Sequence, residues 1–365
     1  MHEPAPPLAQ ALAPLRETID ALDEQILALL NQRAGVALQV GHEKQLRGEP
    51  VYRPEREAQV LAGLGARNEG PLKTQGVQAI WTEIMSACRA IEAAQTVAYL
   101  GPAGTYSEQA VKQQFGASVA LLPCASIDAV FRAVEVGTAQ FGVVPMENST
   151  EGVVSRTLDL LLTTSLTICA EVSLPIHHHV LTQSGTLAGI TQIVGHPQTL
   201  AQCQGWLAAN VPNIPVQAAA SNGEGARLAS SQPHIAALAG SAAQSHYGLK
   251  AVHERVQDDA HNRTRFAVIG THHTVPSMGD AVSDQTSLIL SVPNTAGAVY
   301  EMLKPLAQHG VSMTRFESRP ARTGAWEYYF YVDVQGHHAT PAIAAALAAL
   351  KQKTAFYKLL GSYPV

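Results

Sequence analysis

The chain is 365 residues long, with 46% hydrophobic and 15% charged side chains. That length exceeds one ordinary domain of roughly 100–200 residues, and the composition supports packed cores and excludes wholesale disorder. A net charge of -5 without a polybasic run argues against nucleic acid as a partner. Four cysteines, Cys88, Cys124, Cys169 and Cys203, lack CxxC spacing, which speaks against a disulfide framework or zinc site and fits a reducing compartment.

The start, MHEPAPPLAQ, is Pro-rich without a basic-then-apolar signal pattern, and no run approaches about 18 apolar residues. A soluble cytoplasmic protein with no membrane contact is the expectation. From Pro14 to about Leu46, apolar residues at Leu15, Ile19, Leu22, Ile26, Leu29, Leu30, Val36, Ala37 and Val40 form a helical stripe. It is long for a globular helix and points to a bundle or an intertwined dimer. A second stripe runs through Val77, Ile80, Trp81, Ile84, Met85, Cys88 and Ile91, and Pro54 suits the first turn of a helix between them.

Arg33 and Lys44 are 11 positions apart, about 20° around a helix, and share a face. Arg16 lies about 25 Å from Arg33 along the axis, too far to touch the same small ligand, so any site it serves is completed by a second chain. The bland alternative is that all three are solvated surface cations. LREtIDaLDeqIlaLLnqR, VGheK and RpEREaqVL resemble the all-helical class of chorismate mutase over residues 10–92. The resemblance implies interlocked helices from two chains. It implies Arg16 reaching in from the partner, Arg33 and Arg56 on the carboxylates of chorismate, and Lys44 at the ether oxygen. Glu57 would hold the ring hydroxyl. Glu92 matches a position where the family uses Gln or Glu toward the ether oxygen; an ionised Glu cannot donate, so the site would need a raised pKa or an acidic optimum. Arg53 stands where an acidic residue is often found and Cys88 where Ser is. Such a pericyclic step needs geometry and charge, with no nucleophile or cofactor.

Farther on, Thr96–Leu100 reads as a strand before the Gly-rich turn Gly101–Ser107 and a helix to Phe115, a generic anion cradle. It is not a P-loop, since no Gly-Lys-Ser/Thr follows. The alternation recurs at Phe141–Val144, at Gln192–Val194 and at Ile235–Ala239, predicting an open α/β sheet with ligands at the carboxyl ends of its strands. Phe266–Gly270 reads as a buried strand, entered by a loop carrying Asn262, Arg263, Thr264 and Arg265. Two cations flanking a hydroxyl suit a small anion and a proton donor; a plain polar turn is the alternative.

GPAGTYSEQA, VVPMENSTEG, GHPQTLAQC and NRTRF, in that order across 96–272, resemble prephenate dehydratase, a fold of two α/β lobes like that of periplasmic binding proteins. By this resemblance Thr264 protonates the departing hydroxyl of prephenate, Arg265 anchors a carboxylate and Phe266 packs under the ring. Asn148, Ser149, Thr150 and Gln202 would line the cleft. Gly195 departs from the Ser that often precedes His-Pro-Gln. The competing reading is a non-catalytic small-anion binder. His177–His179, His272–His273 and His337–His338 invite a metal reading, but adjacent residues on a strand point to opposite faces and no HExxH or mixed Cys/His spacing accompanies them; no metal is expected.

After a linker at about 273–284, Thr286–Val292, a helix to His309, a strand at Glu317–Pro320, Glu327–Val334 and a helix at about Pro341–Lys351 give β-α-β-β-α. That order suits a small ferredoxin-like α+β domain over 285–365, with a dimerisation module as the plain reading. It resembles the ACT regulatory domain, which implies phenylalanine bound by Asn294, Gly297, Ala298, Val299, Glu317, Ser318 and Arg319. Val299-Tyr300 varies mildly from the usual pattern. Together the three resemblances imply a bifunctional chorismate mutase–prephenate dehydratase, feedback-inhibited by phenylalanine and assembled as a homodimer or higher homo-oligomer. A sensor whose catalytic sites have decayed is the alternative.

Overall fold

A computed structural model describes residues 8–279, 281–321 and 328–365. The first seven residues of the Pro-rich start, Asp280 of the expected linker and Glu327 of the expected strand lie outside them. Three helices open the chain: α1 (Leu8–Arg47), α2 (Pro54–Ala66) and α3 (Thr74–Glu92). Pro54 sits in the first turn of α2 with Glu55 and Glu57, where a missing N–H costs nothing and negative charge meets the helix dipole. The buried residues of α3 include Val77, Met85 and Cys88. Helix α1 is different: Gly41 is its buried residue, and Leu15, Ile19, Leu22, Ile26, Leu29, Val36 and Val40 all stay exposed.

The next part folds as two lobes. The first comprises β1 (Thr96–Leu100), α4 (Tyr106–Phe115), β2 (Ala120–Cys124), α5 (Ile127–Glu135), β3 (Phe141–Asn148), β4 (Gly152–Val153), α6 (Ser155–Thr163) and β5 (Thr167–Pro175). The second comprises β6 (His179–Thr182), β7 (Gln192–Gly195), α7 (Pro197–Gln202), α8 (Gln204–Asn210), β8 (Val216–Ala218), α9 (Asn222–Ser231), β9 (Ile235–Ala239), α10 (Ser241–Tyr247) and β10 (Lys250–His253). The chain then returns as β11 (Arg263–Gly270) into the first sheet, whose order is β2-β1-β3-β11-β5. The second sheet runs β10-β6-β9-β7-β8. Here the sequence expectation needs correction: Arg263, Thr264 and Arg265 are not in a loop. They belong to β11, because their backbones pair with β5 on one side while Thr264 and Arg265 also pair with β3 on the other.

The last part comprises β12 (Asp284–Ser291), α11 (Ala298–Gln308), β13 (Met313–Pro320), β14 (Tyr328–Gln335), α12 (Pro341–Lys351) and β15 (Phe356–Pro364), with sheet order β13-β14-β12-β15. Strand β15 was not anticipated, and Asp284 starts β12 rather than ending a linker. Ile289, Tyr331, Leu360 and Tyr363 of this sheet share one hydrophobic core with Ala98, Val144 and Ile269 of the first lobe. At Gly361 (φ +150) an added Cβ would overlap the carbonyl oxygen of Ile168, so glycine is what lets β15 lie against β5.

The helical part docks through Tyr52, whose ring packs 4.7 Å from Phe115 and 5.1 Å from Phe141. Its hydroxyl accepts from Gln114 at 2.6 Å, which removes the cost of burying a polar tip. A ring of this kind buries about 150–250 Å², or about 4–6 kcal/mol at roughly 25 cal/mol/Å². Among the described residues no helix is long and apolar enough to cross a membrane.

Candidate active sites

The helical part encloses a pocket of about 330 Å³ between α1, α2 and α3. The pattern that put Arg33 and Lys44 on one face of α1 is realised: both line it, with Arg53, Arg56 and Arg89, against two carboxylates, Glu57 and Glu92. Five cations facing two anions suit a small polyanionic ligand. Gly41 lets the helices close up, since a Cβ there would lie 2.9 Å from Glu92 Cγ. Lys44 Nζ consequently sits 3.5 Å from Glu92 Oε2 while donating to the Val51 carbonyl at 2.8 Å. Glu92 Oε2 is buried without a hydrogen bond. Arg33 Nη1 donates to Cys88 Sγ at 2.9 Å, so the thiol occupies a polar position beside a cation.

Arg89 was missed in the sequence. It is 4% exposed, pairs with Glu57, donates to the Phe115 carbonyl and lies over the Tyr52 ring at 5.3 Å. Its spacing three before Glu92 was the available signal, since i and i+3 share a helix face. Burial raises the Glu57 carboxyl, opposed by the Arg89 guanidinium. Arg16 is not brought into this pocket; it stands exposed on α1.

The second site is a cleft of about 650 Å³ between the lobes. Thr264 and Phe266 reach it from β11, Gly104–Ser107 from the start of α4, His196 and Gln198 from α7, and Ser221 and Asn222 from the start of α9. Thr105 caps α4 and Ser221 caps α9, so two helix N-termini of ten residues each turn their positive ends toward a ligand. The described residues that line it include no Arg or Lys. Gly195 is buried beneath, where a Cβ would sit 3.2 Å from Leu238 Cβ, a tight contact that Leu238 would have to yield to.

Arg265 is not brought into the cleft. Strand alternation puts Thr264 and Phe266 on the cleft face and Arg265 on the other, beside Glu171 at 2.6 Å, Glu147 at 3.2 Å and Asp333 of β14 at 3.0 Å. Arg315 of β13 joins them through Glu147 at 2.8 Å. The expected carboxylate anchor instead ties β11 to the C-terminal sheet through these ion pairs.

Asn148 and Thr264 lie directly opposite on β3 and β11, and Asn148 Nδ2 donates to Thr264 Oγ1 at 2.9 Å. Thr150 Oγ1 donates to Asn148 Oδ1 at 2.6 Å and accepts from Gln202 Nε2 at 3.0 Å. Ser149 Oγ accepts from the Arg263 amide at 2.9 Å. Asn148, Ser149, Thr150 and Gln202 therefore gather behind Thr264 and do not themselves line the cleft. The histidines of the 177–179 run have separate partners: His177 Nδ1 meets Gln257, His178 meets Tyr106 and Gln202, and His179 accepts from the Arg255 amide.

In the C-terminal part Gly297 takes a left-handed φ of +81 before Ala298 and Val299 begin α11, and Asn294 precedes it in the loop. Glu317, Ser318 and Arg319 lie on β13, at the sheet edge. Arg319 turns onto the first lobe, donating to the Ser155 carbonyl at 2.6 Å and pairing with Asp159 at 3.2 Å, so it is a docking residue here.

Three family models match the chain in this order: chorismate mutase type II over residues 15–93, prephenate dehydratase over 97–274 and the ACT domain over 286–352. A bifunctional chorismate mutase/prephenate dehydratase of Neisseria gonorrhoeae is 45% identical over 97% of each chain. Among solved structures, a prephenate dehydratase of Arthrobacter aurescens in complex with L-Phe has 31% identity and a TM-score of 0.67, covering 73% of this chain and 89% of its own. The quorum-quenching acylase GqqA has 30% identity and a TM-score of 0.67, covering 74% of this chain and 98% of its own. With a helical domain, a two-lobed α/β domain and an ACT domain in one polypeptide, the chain belongs to the family of bifunctional chorismate mutase/prephenate dehydratases, an isomerase joined to a lyase.

Proposed function

We propose that the helical domain, residues 10–92, rearranges chorismate to prephenate, and that the two-lobed domain, 96–272, converts prephenate to phenylpyruvate. The observation that carries the second step is the Asn148 contact. With Asn148 Nδ2 donating to its oxygen, Thr264 keeps its own proton for a group in the cleft. The ring carboxylate leaves as carbon dioxide, its electron pair enters the ring, and the C–OH bond opposite breaks as the oxygen takes the Thr264 proton. Water then returns a proton to Thr264. Helix N-termini hold the substrate carboxylates. An acylase reading would ask for a base on a nucleophile, whereas Thr264 is held by an amide donor.

In the first domain Arg33 and Arg56 take the carboxylates, Glu57 the ring hydroxyl, and Lys44 and Glu92 face the breaking ether bond. The bare apolar stripe of α1 favours a homodimer in which Arg16 enters the partner's pocket. The domain at 285–365 senses phenylalanine through Asn294, Gly297, Ala298, Val299, Glu317 and Ser318, with Arg319 at its edge. We place the enzyme in the cytoplasm. The test assays chorismate consumption, and phenylpyruvate formation from added prephenate, each with and without phenylalanine. Both activities, with the dehydratase suppressed by phenylalanine, are expected; binding of either substrate without turnover would leave a sensor.

A further inference from the structure

Tyr106, His178, Gln202, Thr150 and Asn148 form one run of hydrogen bonds that ends on Thr264 Oγ1, and its direction is set by backbone. The amides of Thr150 and Glu151 point at Asn148 Oδ1 at 3.1 and 3.2 Å, and a backbone N–H only donates. Asn148 therefore turns its nitrogen to Asn262 Oδ1 at 2.8 Å and to Thr264. Asn262 in turn faces Gln202 Oε1 with its nitrogen at 3.1 Å. Gln202 Oε1 also meets His178 Nε2 at 3.0 Å, so that ring nitrogen has to carry the proton. Burial keeps the imidazole neutral, pushing His178 down to about 4. Its Nδ1 is then an acceptor 2.9 Å from the Tyr106 hydroxyl, which shares its one proton between that nitrogen and the His177 carbonyl at 2.7 Å.

We infer that His178 is a positioning residue of the dehydratase: as a second donor on Gln202 Oε1 it holds Gln202 and Thr150 in the orientation that the backbone amides impose on Asn148, leaving the Thr264 proton free for substrate. This deepens the dehydratase reading and rests on it. His178 lies in the connection between β5 and β6, Gln202 on the second lobe, and Thr150, Asn148 and Thr264 on the first. The run therefore ties both lobes to the orientation of one hydroxyl. Without an N–H at His178, Gln202 Oε1 keeps one donor, Asn262, and the amide turns over more readily. A turned amide sets nitrogen against nitrogen at Asn262 and takes the Thr150 proton away from Asn148.

The test compares His178→Gln with His178→Met in the full chain, using chorismate consumption by the same preparations as the folding control. Gln reaches the Nε2 position with an N–H; Met fills the space without one. His178→Gln should keep kcat for prephenate within about threefold, while His178→Met should lose about 10- to 100-fold in kcat with KM little changed. If His178→Met loses mutase activity as well, His178→Asn, whose amide reaches only the Nδ1 position, replaces it. Equal kcat in the donating and non-donating variants overturns the inference. So does a nitrogen-15 spectrum of the wild-type imidazole with the proton on Nδ1. A wild-type chain that does not turn over prephenate removes the dehydratase reading instead, and the spectrum still judges the direction of the run.

Discussion

Replacing Arg265 by Met separates the two roles open to this residue. Its side chain is 24% exposed and meets Glu171, Glu147 and Asp333, whose side chains are 14%, 31% and 3% exposed. Removing the cation leaves Glu147 with Arg315, but Glu171 and Asp333 lose theirs, Asp333 keeping the Ser287 hydroxyl at 2.6 Å. Breaking a buried pair from one side costs about 3–5 kcal/mol; the remaining partners put this case near about 3 kcal/mol. At about 2.1 cal/mol/K per residue, a chain of 365 residues shifts by about 1.3 °C per kcal/mol, so the thermal midpoint should fall by about 4 °C. Phenylalanine inhibition should weaken as the C-terminal sheet loosens from β11, with KM for prephenate nearly unchanged. Calorimetry and prephenate kinetics on one preparation decide it. An unchanged midpoint with KM raised tenfold or more would make Arg265 a substrate ligand after all and refute its role in tying β11 to the C-terminal sheet.

Thr264→Ala should lower kcat for prephenate about 10²- to 10⁴-fold and spare chorismate turnover; a parallel loss of both would contradict separate sites. Gly41→Ala drives a Cβ against Glu92 Cγ, so chorismate turnover should fall about tenfold from a shift of this size in a site that works by positioning, with dehydration intact; a wild-type mutase rate would show that Glu92 is not needed where it stands. For pH, His178 is held near about 4 in the folded chain against an ordinary value of 6.5. The unfolded chain thus binds the extra proton between those values, and stability falls as pH falls through that window, by about 3 kcal/mol in all. The midpoint measured from pH 7 to 4 should show it, and a His178→Gln chain with the same slope would argue against a buried neutral imidazole.

The sequence by itself determined the local chemistry and the order of the parts. Periodicity in α1 placed Arg33 and Lys44 on one face, Pro54 opened a helix, and four polar loops followed four apolar runs, because such patterns are fixed within a few residues of chain. Similarity of the motifs carried the rest of the assignment. Only the tertiary structure decided what those residues meet. Arg89 reads as an ordinary surface cation until Glu57, Tyr52 and Phe115 close over it. Arg265 reads as part of a substrate loop until pairing with β3 and β5 extends the strand through it, and alternation turns it from the cleft toward Asp333, 68 positions along the chain. His178 stands in a run that looks like a metal motif, and it becomes a donor beside Gln202 only when the two lobes are folded together. A strand's two faces, and the identity of the side chain across a cleft, are set by long-range pairing that no local pattern encodes.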